Sequence, residues 1–151
     1  MPVILAAPCT GKSVWVKTKK NWQDQENLTK IHRISWTQHE HRTEEERKHY
    51  IRLDKELKTL SKTHNVVGSL FWNYVPDAIV IIPHKLHLSR IKKRNQSGIE
   101  TVNEADAVAV ATFLRGQAKK HGVRVFTNFG DAAQYIYWNA PIAGSKQNAK
   151  Q

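Results

Sequence analysis

The sequence predicts an α/β protein built as a three-layer sandwich around a mostly parallel sheet. Three observations lead there. Short apolar runs alternate with longer amphipathic stretches, the order expected of strand–helix units. One run, Ala78–Ile82, is uniformly apolar, as a strand covered on both faces of a parallel sheet must be. The first apolar run, Val3–Ala6, ends in a turn containing Pro8 and Gly11, and a helical stretch follows directly.

Taken in order, Val3–Ala6 reads as a buried first strand and Lys12 to about Lys20 as a helix carrying Val14, Trp15 and Val16. Asn21–Lys30 is polar and loop-like, and Ile31, Ile34 and Trp36 suggest a short second strand. Thr43–His64 is the clearest helix. Thr43 and Glu46 have capping-box spacing, acidic Glu44–Glu46 suits the positive helix end, and Tyr50, Leu53, Leu57 and Leu60 make one apolar stripe.

Val66–Trp72 and Ala78–Ile82 follow as strands, separated by a turn around Asn73–Asp77. Leu86–Asn95 is expected as a short basic helix, Gln96–Val102 as a loop, and Glu104–His121 as a second long helix closed by Gly122. Val123–Thr127 completes the strands, with a short helix or loop from Asp131. No repeat or linker divides the chain, which reads as one domain over 1–141 and a polar, fraying tail over 142–151.

The chain has 151 residues, with 24 Lys and Arg against 13 Asp and Glu, a formal charge of +11. Such an excess favours polyanionic partners, whether nucleotides, DNA or RNA, although it also serves solubility. A single cysteine, Cys9, excludes an intrachain disulfide framework and suits a reducing compartment. No apolar run approaches a membrane span, and the opening MPVILAAPC is too short for a signal peptide. The expectation is a cytoplasmic protein with no membrane partner. A homodimer is compatible with the sequence.

The most informative segment is Ala6-Ala7-Pro8-Cys9-Thr10-Gly11-Lys12-Ser13. It matches G-x-x-x-x-G-K-[ST] except that Ala6 replaces the first glycine. A strand that ends in a tight turn and opens a helix curls successive amides into an anion-binding concavity. Ala7, Pro8, Cys9, Thr10 and Gly11 would wrap the phosphates of ATP, Lys12 would reach the β- and γ-phosphates, and Ser13 would ligate Mg²⁺. A positive φ at Ala6 would strain the turn.

Directly after the buried Ala78–Ile82 run comes His84-Lys85-Leu86-His87-Leu88-Ser89-Arg90-Ile91-Lys92-Lys93-Arg94. On a helix, Arg90 and Arg94 share one face. At the carboxyl end of a parallel sheet they would converge on the phosphate crevice and neutralise charge during transfer. Among the aromatics, Trp36, Trp72 and Tyr74 are candidates to stack a base, although large aromatics also fill cores. Arg42, in the His39–Arg42 segment before the long helix, stands where a substrate-binding insert would fall. Eight histidines lie scattered without zinc-site spacing.

These residues together resemble the P-loop nucleoside monophosphate kinase group, most closely the small kinase-like proteins of bacteriophages. The resemblance rests on PVILAAPCTGKS, VVGSLFWNYVPDAIVIIP, LHLSRIKKR and VRVFTNFGD, in that order along the chain. It implies a P-loop NTPase fold, ATP and Mg²⁺ as cofactors, and phosphoryl transfer to a (deoxy)nucleoside monophosphate in a host cytoplasm. It also implies a lid whose clamping arginines are Arg90 and Arg94, and places Asn128, in the Asn128–Asp131 loop, near the nucleotide base.

Two departures stand out. Ile31–Thr37 lacks the acidic residue the family keeps near its second strand, and Asp77 precedes its strand, at the wrong end of the sheet, where a turn residue is the simpler reading. Alternatives therefore stay open: a kinase acting on DNA bases or ends, or a non-catalytic nucleic-acid-binding or regulatory protein with a degenerate phosphate loop.

Overall fold

The computed structural model describes residues 2–19, 21–25, 43–68, 75–98 and 102–139. Within them lie five strands, β1 (Val3–Ala6), β2 (Trp22–Asp24), β3 (Asn65–Gly68), β4 (Ala78–Val80) and β5 (Val125–Phe126). Five helices accompany them: α1 (Lys12–Lys17), α2 (Glu44–Leu60), α3 (His84–Ser97), α4 (Glu104–His121) and α5 (Phe129–Asn139).

The strands form one sheet in the order β2-β3-β1-β4-β5. Every pairing is parallel, with Val3 beside Val66 and Ile4 beside Ala78 across the central strand. The expectation of a mostly parallel sheet is met by a sheet that is parallel throughout.

Alternation along β1 explains the layering. Val3, Leu5 and Ala7 point to one face, where Leu57 of α2 and Val110, Ala111, Leu114 and Ala118 of α4 cover them. Ile4 and Ala6 point to the other, against Phe129 and Ala132 of α5, with Trp15 and Val16 of α1 beside them. Burying both faces requires apolar residues at successive positions, which is why β1 and β4 read as unbroken apolar runs.

The capping box of α2 forms as its spacing predicts. Glu46 N donates to Thr43 Oγ1 at 3.1 Å and Thr43 N donates to Glu46 Oε1 at 3.2 Å. Tyr50, Leu53 and Leu57 are the buried stripe, and Leu60 packs beside them. Helix α4 has the predicted bounds, and Gly122 takes the left-handed C-cap conformation with φ 67°.

The second strand corrects the sequence reading. Trp22–Asp24, assigned to a loop, pairs with β3 in parallel. It sits at the sheet edge, is three residues long and has two polar members, so it lacks the apolar signature of the central strands. The proposed strand around Ile31–Trp36 lies outside the described residues.

Helix α1 stops at Lys17, not Lys20, and α3 starts at His84, two residues before the expected Leu86. Both β4 and β5 are shorter than their apolar runs, although Ile81 N still donates to Phe126 O at 2.8 Å. Helix α5 begins before Asp131, at Phe129, because the preceding Asn128 caps it. Residues 69–74 and the tail from 140 onward are likewise outside the description. No described helix is long and apolar enough to cross a membrane.

Candidate functional site

Strand β1 lies at the centre of the sheet, and the segment leaving its carboxyl end is the Ala7–Gly11 turn. Its connection runs to β2 on one side, whereas that of β4 runs to β5 on the other. Such a divergence opens a crevice at the carboxyl edge of a parallel sheet.

The turn has a distinctive backbone. Cys9 is the one non-glycine residue at positive φ among the described residues (62°), and Gly11 follows at φ 94°. Left-handed residues set among ordinary ones curl a chain so that its amides gather on one side, which is the geometry of an anion nest. Ala6 belongs to β1 and has no positive φ, so the strain considered for it does not arise. The left-handed position falls instead on Cys9, a small side chain that is half-buried.

Side chains tie the turn together from within. Thr10 Oγ1 donates to Ala7 O at 2.7 Å, and Lys12 Nζ donates to the same carbonyl at 3.1 Å. Lys12 is only 6% exposed, an unusual position for an ammonium group. Its ammonium group is thus folded back onto the carbonyl at the start of the turn.

Ser13, the next residue of α1, donates from Oγ to Asp24 Oδ2 at 3.1 Å. Asp24 is 2% exposed and ends β2, so a carboxylate does stand beside the serine hydroxyl. This residue was missed in the sequence because the second strand was sought at Ile31–Thr37. The two hard oxygens suit Mg²⁺, which takes one or two protein ligands and completes its shell with phosphates and water. Among the described residues no group of three or more His, Cys, Asp or Glu assembles as a metal cluster.

Helix α3 closes the other side of the turn. His87 Nε2 lies 2.8 Å from Pro8 O, Arg90 Nη1 donates to Thr10 O at 2.9 Å, and Arg94 Nη1 is 3.5 Å from Cys9 Sγ. The structure thus brings both predicted arginines onto the loop, and adds His87, which is 3% exposed. Helical spacing puts it on the same face as Arg90 and Arg94, one and two turns before them, but nothing in the sequence marked it as buried.

Packing around the turn is close. A Cβ on Gly11 would stand 3.2 Å from Arg90 Nη1, and one on Gly68, at the end of β3, would collide with Gln25 Oε1. Gln25 is itself buried and follows Asp24 directly, so it packs against the end of β3.

The remaining candidates divide. Asn128 lies in the loop after β5, where its Oδ1 accepts from Asp131 N at 2.8 Å and its Nδ2 donates to Asp131 Oδ2 at 2.9 Å. Its side chain is therefore occupied as the cap of α5. Trp36, Arg42, Trp72 and Tyr74 lie outside the described residues. Asp77 accepts from Val3 N at 2.7 Å at the amino end of the sheet, which fits its reading as a turn residue. Trp15 stacks on Phe129 and meets Trp22, each with ring centroids 5.4 Å apart, and so serves packing. Compared with models of known protein families and with curated protein sequences, the chain matches none.

Proposed function

We propose that this protein is an enzyme of the P-loop NTPase fold that transfers a phosphoryl group from ATP to a (deoxy)nucleoside monophosphate. The observation that carries the reading is the convergence on one turn of a buried Lys12, a Ser13–Asp24 oxygen pair and Arg90. Each has a distinct task. The Cys9–Gly11 backbone would cradle the β-phosphate, and Lys12 would exchange the Ala7 carbonyl for phosphate oxygens. Ser13, with Asp24 behind it, would hold Mg²⁺, which supplies charge neutralisation at the bridging oxygens. Arg90 and Arg94 would stabilise the charge spread over the moving phosphoryl group.

Such chemistry needs positioning and charge more than a base, and the site supplies both. The two features that favoured a loop kept for binding alone were Ala6 and a missing carboxylate. With Ala6 in ordinary strand geometry and Asp24 beside Ser13, neither retains its force.

The test is ADP formation from ATP and Mg²⁺ across a panel of nucleoside and deoxynucleoside monophosphates, with Lys12→Ala as control. Turnover with one acceptor, abolished in the variant, is the expected result. Absence of turnover across the whole panel would refute the assignment.

A further inference from the structure

Helix α3 has an outward side that phosphate-loop chemistry does not use. The helix carries Lys85, Arg90, Lys92, Lys93 and Arg94, and no carboxylate. The charge is thus concentrated rather than evenly spread. Helix α2, for comparison, is balanced with five acidic and five basic residues, and α4 sets Glu104 and Asp106 against Arg115, Lys119 and Lys120. A solubility role would not require one helix to hold so much of the excess.

With 100° per residue, His87, Arg90 and Arg94 share the side that contacts the loop, whereas Lys85, Lys92 and Lys93 fall within an arc of about 100° on the other side. All three lysines are exposed, and none has an ion pair among the described residues. Eight residues separate Lys85 from Lys93, so the band is about 12 Å long.

The arrangement is unfavourable for the helix itself. Its first turn has no acidic residue and its N-cap, Pro83, makes no side-chain cap, while Lys85 stands near the positive dipole end. Local rules broken in this way mark a functional surface, where a ligand of opposite charge offsets the cost.

We propose that this outer face of α3 binds the phosphate backbone of a nucleic-acid strand, a surface distinct from the nucleotide turn and independent of whether that turn transfers phosphate. A cationic band without carboxylates matches an extended row of phosphates, and it is longer than a mononucleotide requires. An anionic lipid surface fits less well. Ile91 of α3 is fully buried in the protein, and Leu86, 42% exposed, is the one large apolar side chain this helix exposes, too little to form an inserting apolar face.

The experiment measures binding of a fluorescein-labelled single strand of roughly 20 nucleotides by anisotropy over a salt series. Two variants carry the same change in charge: K85Q/K92Q/K93Q on α3 and R52Q/K55Q/K58Q on α2. The wild type is expected to bind, and the α3 variant to lose about tenfold in affinity and about 2 from the salt slope. The α2 variant and Lys12→Ala are expected to bind within about twofold of wild type.

Equal loss in both triple variants, or full binding by the α3 variant, would overturn the proposal. So would binding to phosphatidylserine vesicles that depends on the three lysines in the absence of strand binding. Retained strand binding by Lys12→Ala, whatever its effect on turnover, separates this surface from the phosphate-loop assignment.

Discussion

Replacing Gly11 by alanine tests the conformation on which the site depends. Gly11 has φ 94°, and a side chain there meets the left-handed steric penalty of about 1–2 kcal/mol. The new Cβ would also lie 3.2 Å from Arg90 Nη1, the far end of a flexible side chain. Arg90 can retreat, but doing so stretches its 2.9 Å bond to Thr10 O, a loss of about 0.5–1.5 kcal/mol. Together the two effects come to about 2 kcal/mol, or a fall in Tm of about 4–8 °C for a domain of this size.

Gly116 supplies the control. It lies inside α4, and a Cβ there meets nothing within 4 Å. Gly116→Ala should therefore stabilise the helix by about 0.8–1 kcal/mol and raise Tm by about 2–4 °C. Thermal melts followed by circular dichroism read both changes. A Gly11→Ala protein melting at or above wild type would refute the reasoning, as would a Gly116→Ala protein that falls as far.

Other residues give separate expectations. His87→Ala removes a buried ring and leaves the Pro8 carbonyl without that partner, a loss of about 2–4 kcal/mol in chemical denaturation; His87→Gln, which keeps a donor, should recover most of the ATP affinity that the alanine variant loses. If the glutamine variant bound ATP no better than the alanine variant, His87 would be a packing residue only. Asp24→Asn should abolish the gain in ATP affinity caused by Mg²⁺ while leaving metal-free binding in place; an unchanged Mg²⁺ effect in calorimetric titrations would exclude Asp24 from the metal site. Thr43→Ala breaks the capping box of α2 and should cost about 0.5–2 kcal/mol in a urea melt without changing nucleotide affinity.

Much of this architecture was legible in the sequence because single residues carry strong local signals. Thr43 and Glu46 announce the start of α2, Gly122 the end of α4, and the unbroken apolar run Val3–Ala6 a strand buried on both sides. The turn from β1 into α1 was legible for the same reason, since Gly11-Lys12-Ser13 is local in sequence. Two features were not. Strand β2 has its register set by β3, whose paired residues lie 43 positions further on, and its own residues Trp22, Gln23 and Asp24 show no periodicity. Asp24 therefore reaches Ser13 through the tertiary fold alone. The contact of His87 with Pro8 joins residues 79 apart, and histidine in a basic helix gives no sign of burial.

On the proposed function, the Ala7–Ser13 turn holds the phosphates of a nucleotide. Isothermal titration of adenosine, AMP, ADP and ATP, with Mg²⁺ present, into wild type and Lys12→Ala tests it most directly. Affinity is expected to rise with each added phosphate in the wild type and to give a flat, weak series in the variant. Equal affinities across the series, or a variant indistinguishable from wild type, would contradict it.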